Sequence, residues 1–586
     1  MPRNRSIPQT KDCPKRVLQM IETHAESADG IKWPATTPAG IARVAALAEF
    51  EPMPEPMDWV EYQSSGRLLI IGPADEAWPL AEVLSKYLTC SMLATRPPDA
   101  APDAPPPARY LDGRPRDLTG HLGAFELNVE VDRGRVLPAG PAFGIESGTF
   151  DLVLDLDGSG GLRMDEPPPG YFRALTEAQR QRALEELPLM VGEFQKPKYF
   201  AYDPDICAHG ASGMVGCSNC LLACATEAII SVGDRIEVNP YLCQGCGSCA
   251  TVCPSGAIRY AAPVAGDLID SARRMLRAFR ENADTTQAPE VLLYSAESAR
   301  AQLAAAAATL PEHVLPIAVE DAGSVGIETW LSLLSFGAAR VLLLPGAAPA
   351  PSKVEASKSM IRVAETIVAA LGDAEGARRI VWLDAPGDAA SLVTLAPMVA
   401  APATFGGIGG KRELFRRALG ALHAQADAPS ALVSLPPQAA FGTIDVDRDA
   451  CTLCMGCVSV CPASAVQGGG DLPQLQFRED HCLQCGLCEK ACPEDAIRLQ
   501  PRMNFEAHLE PRQQILNEAA MHYCPDCGKA FATEQMIARM TERLSGHWMF
   551  QDEASRKRLL LCEDCRIKHM SDDHDGMIDV HRGKGA

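Results

Sequence analysis

Cysteine is the residue whose type and spacing promise chemistry here: of 22 in the 586-residue chain, all but Cys13 and Cys90 fall in three tight groups. The first holds Cys207, Cys217, Cys220 and Cys224, then Cys243, Cys246, Cys249 and Cys253. The second holds Cys451, Cys454, Cys457 and Cys461, then Cys482, Cys485, Cys488 and Cys492. The third is Cys524, Cys527, Cys562 and Cys565. Three runs, 243–254, 451–462 and 482–493, read Cys-x2-Cys-x2-Cys-x3-Cys-Pro. Thiolates at that spacing can wrap a metal centre, while the proline, with fixed φ and no N–H, redirects the chain after the fourth cysteine. Gly245, Gly247, Gly456 and Gly486 are expected to supply the unusual dihedrals and close backbone approach this needs.

On these runs the chain resembles the dicluster [4Fe–4S] ferredoxin family, in two stretches, 199–263 and 441–502. The resemblance implies crossed ligation, the fourth cysteine of each tetrad serving the neighbouring cluster. Carried over, Cys207, Cys217, Cys220 and Cys253 bind the first cluster, and Cys243, Cys246, Cys249 and Cys224 the second. Cys451, Cys454, Cys457 and Cys492 bind the third, and Cys482, Cys485, Cys488 and Cys461 the fourth. One tetrad departs from the pattern. Nine residues separate Cys207 from Cys217, and Ala225 replaces the proline after Cys224. His209, inside that loop, is read as a solvent-facing loop histidine, with ligation as the alternative.

The third group forms two Cys-x2-Cys knuckles separated by 34 residues, with Gly528 suited to a tight turn. Two such pairs complete a closed four-thiolate site, so one structural zinc is expected, a rubredoxin-like iron or a fifth cluster being the alternatives. Ile537, Met540 and Leu544 form one stripe of an amphipathic helix over 533–544, and His522, His547 and His569 are read as bystanders. No catalytic residue is assigned.

The elements that must position these cysteines are α/β. Arg67–Gly72 reads as a buried strand followed by a helix through 78–88, with further strands at 125–131 and 150–156. Its glycines are not in G-x-G-x-x-G order, which argues against a nucleotide there. A second such region is expected to hold strands at 291–294, 314–319, 341–344, 380–383 and 431–434. Between them, Ile327, Trp330, Leu331 and Leu334, and again Met360, Val363, Ala364 and Ile367, follow helical spacing. Such alternation predicts a parallel sheet covered on both faces.

The expected fold is therefore multidomain, α/β plus α+β. It comprises an N-terminal helical or irregular segment (1–64, Pro-rich at 51–57), a small α/β domain (65–160, with a Pro/Ala linker at 97–107) and a helical linker (161–198). Then come ferredoxin-like module 1 (199–263), an α/β domain (264–440), module 2 (441–502) and a helical zinc-knuckle region (503–586). Two glycine-rich helix entries, Asp321–Gly326 and Phe405–Lys411, could hold an anion, or could be turn chemistry alone. The second is not a phosphate-binding loop of the Walker type, because Arg412 follows Lys411.

Composition bounds the partners. A net charge of −21 disfavours nucleic acid and anionic membranes, and apolar runs such as Val341–Leu344 fall far short of the about 18 residues a membrane span needs. No apolar leader of about 7–15 residues is visible near Met1. The chain is thus read as cytoplasmic, where thiols stay reduced and serve metals. The whole layout resembles cytosolic 4Fe–4S binding proteins that accompany formate dehydrogenase components in bacteria, on Gly192–Phe200 and Val319–Ile327. The resemblance implies an electron carrier between redox proteins. The alternatives are a flavin- or nucleotide-dependent oxidoreductase subunit using the 264–440 domain, and an accessory or assembly factor.

Overall fold

The computed structural model describes residues 24–26, 30–51, 58–99, 108–160, 162, 164–261, 263–283, 287–373, 378–470 and 472–572. Cys13, most of the 51–57 passage and most of the 97–107 linker lie outside them. The chain divides into two units: 1–204, 219–232 and 236–429 form the first, and 205–218, 233–235 and 430–586 the second.

The first unit is built on two parallel sheets. One has the strand order Tyr171–Arg173, Leu152–Asp155, Arg67–Pro73, Thr89–Arg96, Arg109–Asp112. Its central run, Leu68-Leu-Ile-Ile71, is fully buried, because Leu68 and Ile70 enter one core while Leu69 and Ile71 enter another on the opposite face. A continuous apolar strand is the mark of a sheet covered on both sides. Helix Ala74–Leu84 packs on one face, and Leu127 and Val129 of an antiparallel ribbon (Arg114–Thr119, Glu126–Val131, Arg135–Pro138) fill the other. The expected helical linker is different in kind. Tyr171–Arg173 is a strand of this sheet, and Gly192–Pro197 pairs antiparallel with Trp59–Ser64; the α-helix described there is Glu177–Glu186, with a 3-10 turn at Leu187–Leu189.

The second sheet runs Val314–Val319, Glu290–Ser295, Arg340–Leu344, Ile380–Trp382, all parallel. Helices Ala265–Asn282, Ile327–Ser335, Pro351–Ala370 and Lys411–His423 accompany it. Two corrections follow. Residues 31–48 of the N-terminal segment belong to this domain: Trp33 shares its core with Leu292 and Tyr294, and helix Pro38–Ala48 packs on Ala265–Asn282. Conversely, the strand expected at 431–434 is absent from the parallel sheet. Leu432–Ser434 pairs instead with Ile497–Asn504 in the second unit. There it is a three-residue edge strand with Leu432 exposed, unlike the fully buried strands 290–295 and 340–344 of the parallel sheet.

Also in the first unit, Phe200–Tyr202 pairs with Ile258–Tyr260, next to the short helices Asn219–Leu222 and Ser248–Val252. The second unit repeats this plan. Gly442–Val446 pairs with Ile497–Asn504, and Val466–Gly469 with Leu472–Phe477, around the helices Gly456–Ser459 and Leu487–Lys490. A C-terminal hairpin, Met521–Tyr523 with Ala530–Thr533, leads into helix Glu534–Leu544, whose N-cap is Thr533. No helix among the described residues is long and apolar enough to cross a membrane.

Candidate metal centres

The backbone of the tetrads is left-handed at repeating positions. In 482–488 these are Gln484 (φ 53°) and Gly486 (φ 81°), in 243–249 Gly245 and Gly247, and in 451–457 Leu453 (φ 55°) and Met455 (φ 62°). Gly456, expected to take such a conformation, instead opens the helix Gly456–Ser459. The unusual dihedrals fall on Leu453 and Met455, where a side chain carries the strain. Right- and left-handed residues in alternation turn successive N–H groups inward, a nest suited to an anionic sulfur cluster. The turn after each fourth cysteine is also shared: Glu227, Gly256, Ser464 and Asp495 all have φ between 49° and 78°. Ala225 in place of proline therefore leaves that turn intact. The amides of Ala465 and Ala496 then donate to Cys461 Sγ and Cys492 Sγ, at 3.2 and 3.3 Å.

In the second unit the sulfurs sort into two neighbouring cavities. Cys451, Cys454, Cys457 and Cys492 line one, with Leu475 and Ile497. Cys482, Cys485, Cys488 and Cys461 line the other, walled by Ile444, Leu487 and Leu499. Each thus takes its fourth cysteine from the other tetrad. Burial, then the nearby Cys451, Cys454 and Cys492 thiols, push the Cys457 thiol up to about 12. Cys488 is raised by burial and then by Cys482, Cys485, Cys461 and Cys457. Four thiols so confined cannot ionise together without a compensating metal charge, so the donor set fits an iron–sulfur cluster.

In the first unit, Cys243, Cys246 and Cys249 come together with Cys224. The Cys249 thiol is driven well up by burial and by Cys246, Cys243, Cys224 and Cys220, and burial takes Cys246 up to about 12. Tyr260 holds this loop through its hydroxyl, which donates to Gly245 O at 2.7 Å, and Lys196 Nζ donates to Cys243 O at 2.5 Å.

The first tetrad is divided between units: Cys207 and Cys217 lie in the second, Cys220 and Cys253 in the first. The nine-residue insertion is a β-hairpin, Gly210–Ala211 with Met214–Val215, turned by Ser212 (φ 54°) and Gly213 (φ 77°). Two consecutive positive φ values make the two-residue turn that matches strand twist. The hairpin returns the chain so that Cys217 N donates to Ala208 O at 2.9 Å, one residue from Cys207. His209 is not in solvent. It is 2% exposed, and its Nδ1 donates to Cys217 O at 2.9 Å, pinning the hairpin base. Within the second unit the hairpin rests on the helix bearing Cys488: Lys490 Nζ donates to Val215 O at 2.5 Å, and Leu487 faces Gly216.

The third group is a compact site. The sulfurs of Cys524, Cys527, Cys562 and Cys565 lie within 4.8 Å of one another, with Cys527 exposed and the others buried. Tetrahedral thiolates around a zinc-sized ion stand about 3.8 Å apart, and Cys527 and Cys562 are separated by 3.6 Å. His522 bonds Leu560 O and His569 bonds Asp526, so these two ring nitrogens are engaged elsewhere. Helix Glu534–Leu544, between the two knuckles, seals the neighbouring cysteine loop: Arg539 and Arg543 both reach Glu494 Oε2 at 2.9 Å, and Thr533 Oγ1 donates to Thr452 O.

Comparison with known proteins agrees with this geometry. Residues 450–497 match the family described as 4Fe-4S dicluster domain, and 236–259 that described as 4Fe-4S binding domain. Ferredoxin-1 of Caulobacter vibrioides is 44% identical over 52 residues, 8% of this chain and 44% of its own. Pyruvate synthase subunit PorD of Thermotoga maritima is 39% identical over 59 residues, 10% of this chain and 58% of its own. The chain thus spans about half the length of these curated relatives. An uncharacterized ferredoxin of Methanocaldococcus jannaschii is 36% identical over 59 residues, 10% of this chain but 94% of its own length. Through its cysteine modules, the chain belongs to the 4Fe–4S ferredoxin family.

Proposed function

We propose that this chain is an electron relay holding four [4Fe–4S] clusters, with the ligand sets Cys207/Cys217/Cys220/Cys253, Cys243/Cys246/Cys249/Cys224, Cys451/Cys454/Cys457/Cys492 and Cys482/Cys485/Cys488/Cys461. The observation that carries it is the sorting of the second module's eight sulfurs into two adjoining cavities that exchange their fourth cysteines. Bound there, a [4Fe–4S] cluster supplies one-electron chemistry, at potentials within roughly −700 to +450 mV. The protein's part is to confine the thiolates, aim backbone amides at them and exclude water with Leu475, Ile497, Leu487 and Leu499. Adjoining cavities keep a transfer step short.

The Cys524/Cys527/Cys562/Cys565 site holds one structural zinc on this reading, since its four thiolates leave no open position. The partners are redox proteins, with formate dehydrogenase components the specific candidates, and the compartment is the cytoplasm. A surface of net charge −21 favours partners with a basic docking patch.

The test is relay at catalytic concentration. Under anaerobic conditions, trace amounts of the protein should accelerate electron flow from a slow low-potential donor to a soluble electron-accepting protein. Cys488→Ala should reduce that acceleration at least ten-fold. Undiminished acceleration in Cys488→Ala, or none in the native protein, would overturn the proposal.

A further inference from the structure

A strand ribbon outside the ferredoxin-like module closes over the Cys243 end of its second tetrad. In that ribbon, Trp59–Ser64 with Gly192–Pro197, Lys196 lies opposite Val60 and so stands diagonal to Tyr62. The Lys196 ammonium sits 5.1 Å from the centre of the Tyr62 ring, and Nζ donates to Tyr241 O at 3.1 Å and to Cys243 O at 2.5 Å. The Tyr62 hydroxyl donates to the same Tyr241 O at 2.7 Å. His121 stacks on the Tyr241 ring at 4.4 Å, and Tyr62 meets both rings edge-on. Three aromatic rings thus shield a half-buried ammonium held against the backbone of a cluster cysteine.

The charges around this tetrad are balanced differently. Lys353, 5% exposed, is in direct contact with the Asp321 carboxylate, and the two act on the Cys246 thiol in opposite senses. Lys196 has no carboxylate partner among the described residues; its contacts are the two carbonyls and the Tyr62 ring. Its influence on the sulfur is direct. Burial raises the Cys243 thiol, while the Gly245 amide and then the Lys196 charge pull it down. Burial in turn lowers Lys196 to about 8, and Cys243 pulls it back up, so the amine keeps its proton at neutral pH.

We propose that Lys196 sets the reduction potential of the cluster held by Cys243, Cys246, Cys249 and Cys224, its unbalanced charge holding that cluster easier to reduce. The inference rests on the four-cluster reading. Reduction adds an electron to a centre that is already anionic. A positive charge shielded from water beside one of its thiolates stabilises the reduced form, and local charge is one of the levers on cluster potential.

The experiment is an EPR-monitored redox titration of the full chain, loaded with clusters anaerobically, with the signals of the 451–492 clusters as internal reference. Lys196→Gln removes the charge and keeps a donor for the two carbonyls. It should lower the reduced-to-oxidised ratio of one first-module signal about ten-fold at a fixed potential, which is about 59 mV for one electron. Lys196→Arg should restore most of the shift. Two controls separate the local charge from its surroundings. Lys198→Gln removes the same charge from an exposed lysine whose partner is Asp58, and Tyr62→Phe removes the hydroxyl that braces Tyr241 O without touching any charge. Both should leave the midpoint in place. An unmoved midpoint in Lys196→Gln with its clusters retained would overturn the proposal, as would an equal shift in either control. Loss of that one cluster from Lys196→Gln would also overturn it, by making the lysine a structural anchor. Missing first-module signals in the native chain would instead sink the four-cluster reading itself, so the two failures are distinguishable.

Discussion

Cys461 and Cys492 follow the loops of their own tetrads in sequence, yet each lines the cavity of the other tetrad. This exchange is testable by grouping variants. Cys461→Ala and Cys488→Ala should remove the same EPR signal, and Cys457→Ala and Cys492→Ala the other. If Cys461→Ala grouped with Cys457→Ala, the crossed sets would be wrong. Backbone strain gives a second test at this scale. Asp495 is exposed and held at φ 49°, in the turn shared by all four tetrads. Asp495→Gly should leave stability unchanged or raise it by up to about 1 kcal/mol, while Asp495→Val should cost about 1–2 kcal/mol in urea unfolding. Cysteine spacing was fully legible in the sequence because it is a covalent regularity. The left-handed residues were legible only where they are glycine, as at Gly245, Gly247 and Gly486. Leu453 and Met455 give no such signal, because there the cavity dictates the backbone against the residue's own preference.

Among the elements, the hairpin within the Cys207–Cys217 insertion shows how a departure from a motif can preserve it. Two residues are replaced by nine, and paired strands bring Cys217 back beside Ala208. The spacing alone could not disclose this. Ser212-Gly213 is a turn signal, but its flanks are only two residues long, and the burial of His209 depends on tertiary packing. The strand Ile497–Asn504 ties the second module together, and Glu479 is its anchor. That carboxylate, 1% exposed, accepts from Arg502 Nε and Nη2 at 2.8 and 2.7 Å and from Asn504 at 3.4 Å. Glu479→Ala should cost about 2–3 kcal/mol, since buried charged hydrogen bonds are lost and Arg502 must find water. Faster hydrogen exchange along 497–504 would register it, and unchanged protection would contradict it.

For the whole molecule, the parallel sheets were legible because buried strands such as 68–71 and 341–344 are continuous apolar runs. Domain borders were less so. Ile31 and Trp33 join a core whose remaining buried members begin at Leu292, and no local pattern announces partners that far along the chain. The same limit hid the packing of the 321–326 and 405–411 loops, which read as helix entries and sit on the helix Ser248–Val252. The four-cysteine site has a whole-domain consequence, because the helix between its two knuckles closes over Glu494 and Thr452. Native protein should carry one zinc per chain. Its removal by a strong chelator should raise hydrogen exchange in 534–544 and leave the sheet strands at 290–295 and 340–344 protected. A red, iron-containing site of rubredoxin type would contradict the zinc assignment.

The most direct measurement of the central claim is a reductive titration of anaerobically prepared, fully loaded protein, with EPR spin integration against iron and sulfide content. Four cubanes require about sixteen irons per chain and about four reducible centres. Those values are expected, with paired centres broadening one another's spectra. Fewer than about three reducible cubanes, in protein with a full iron content, would contradict it.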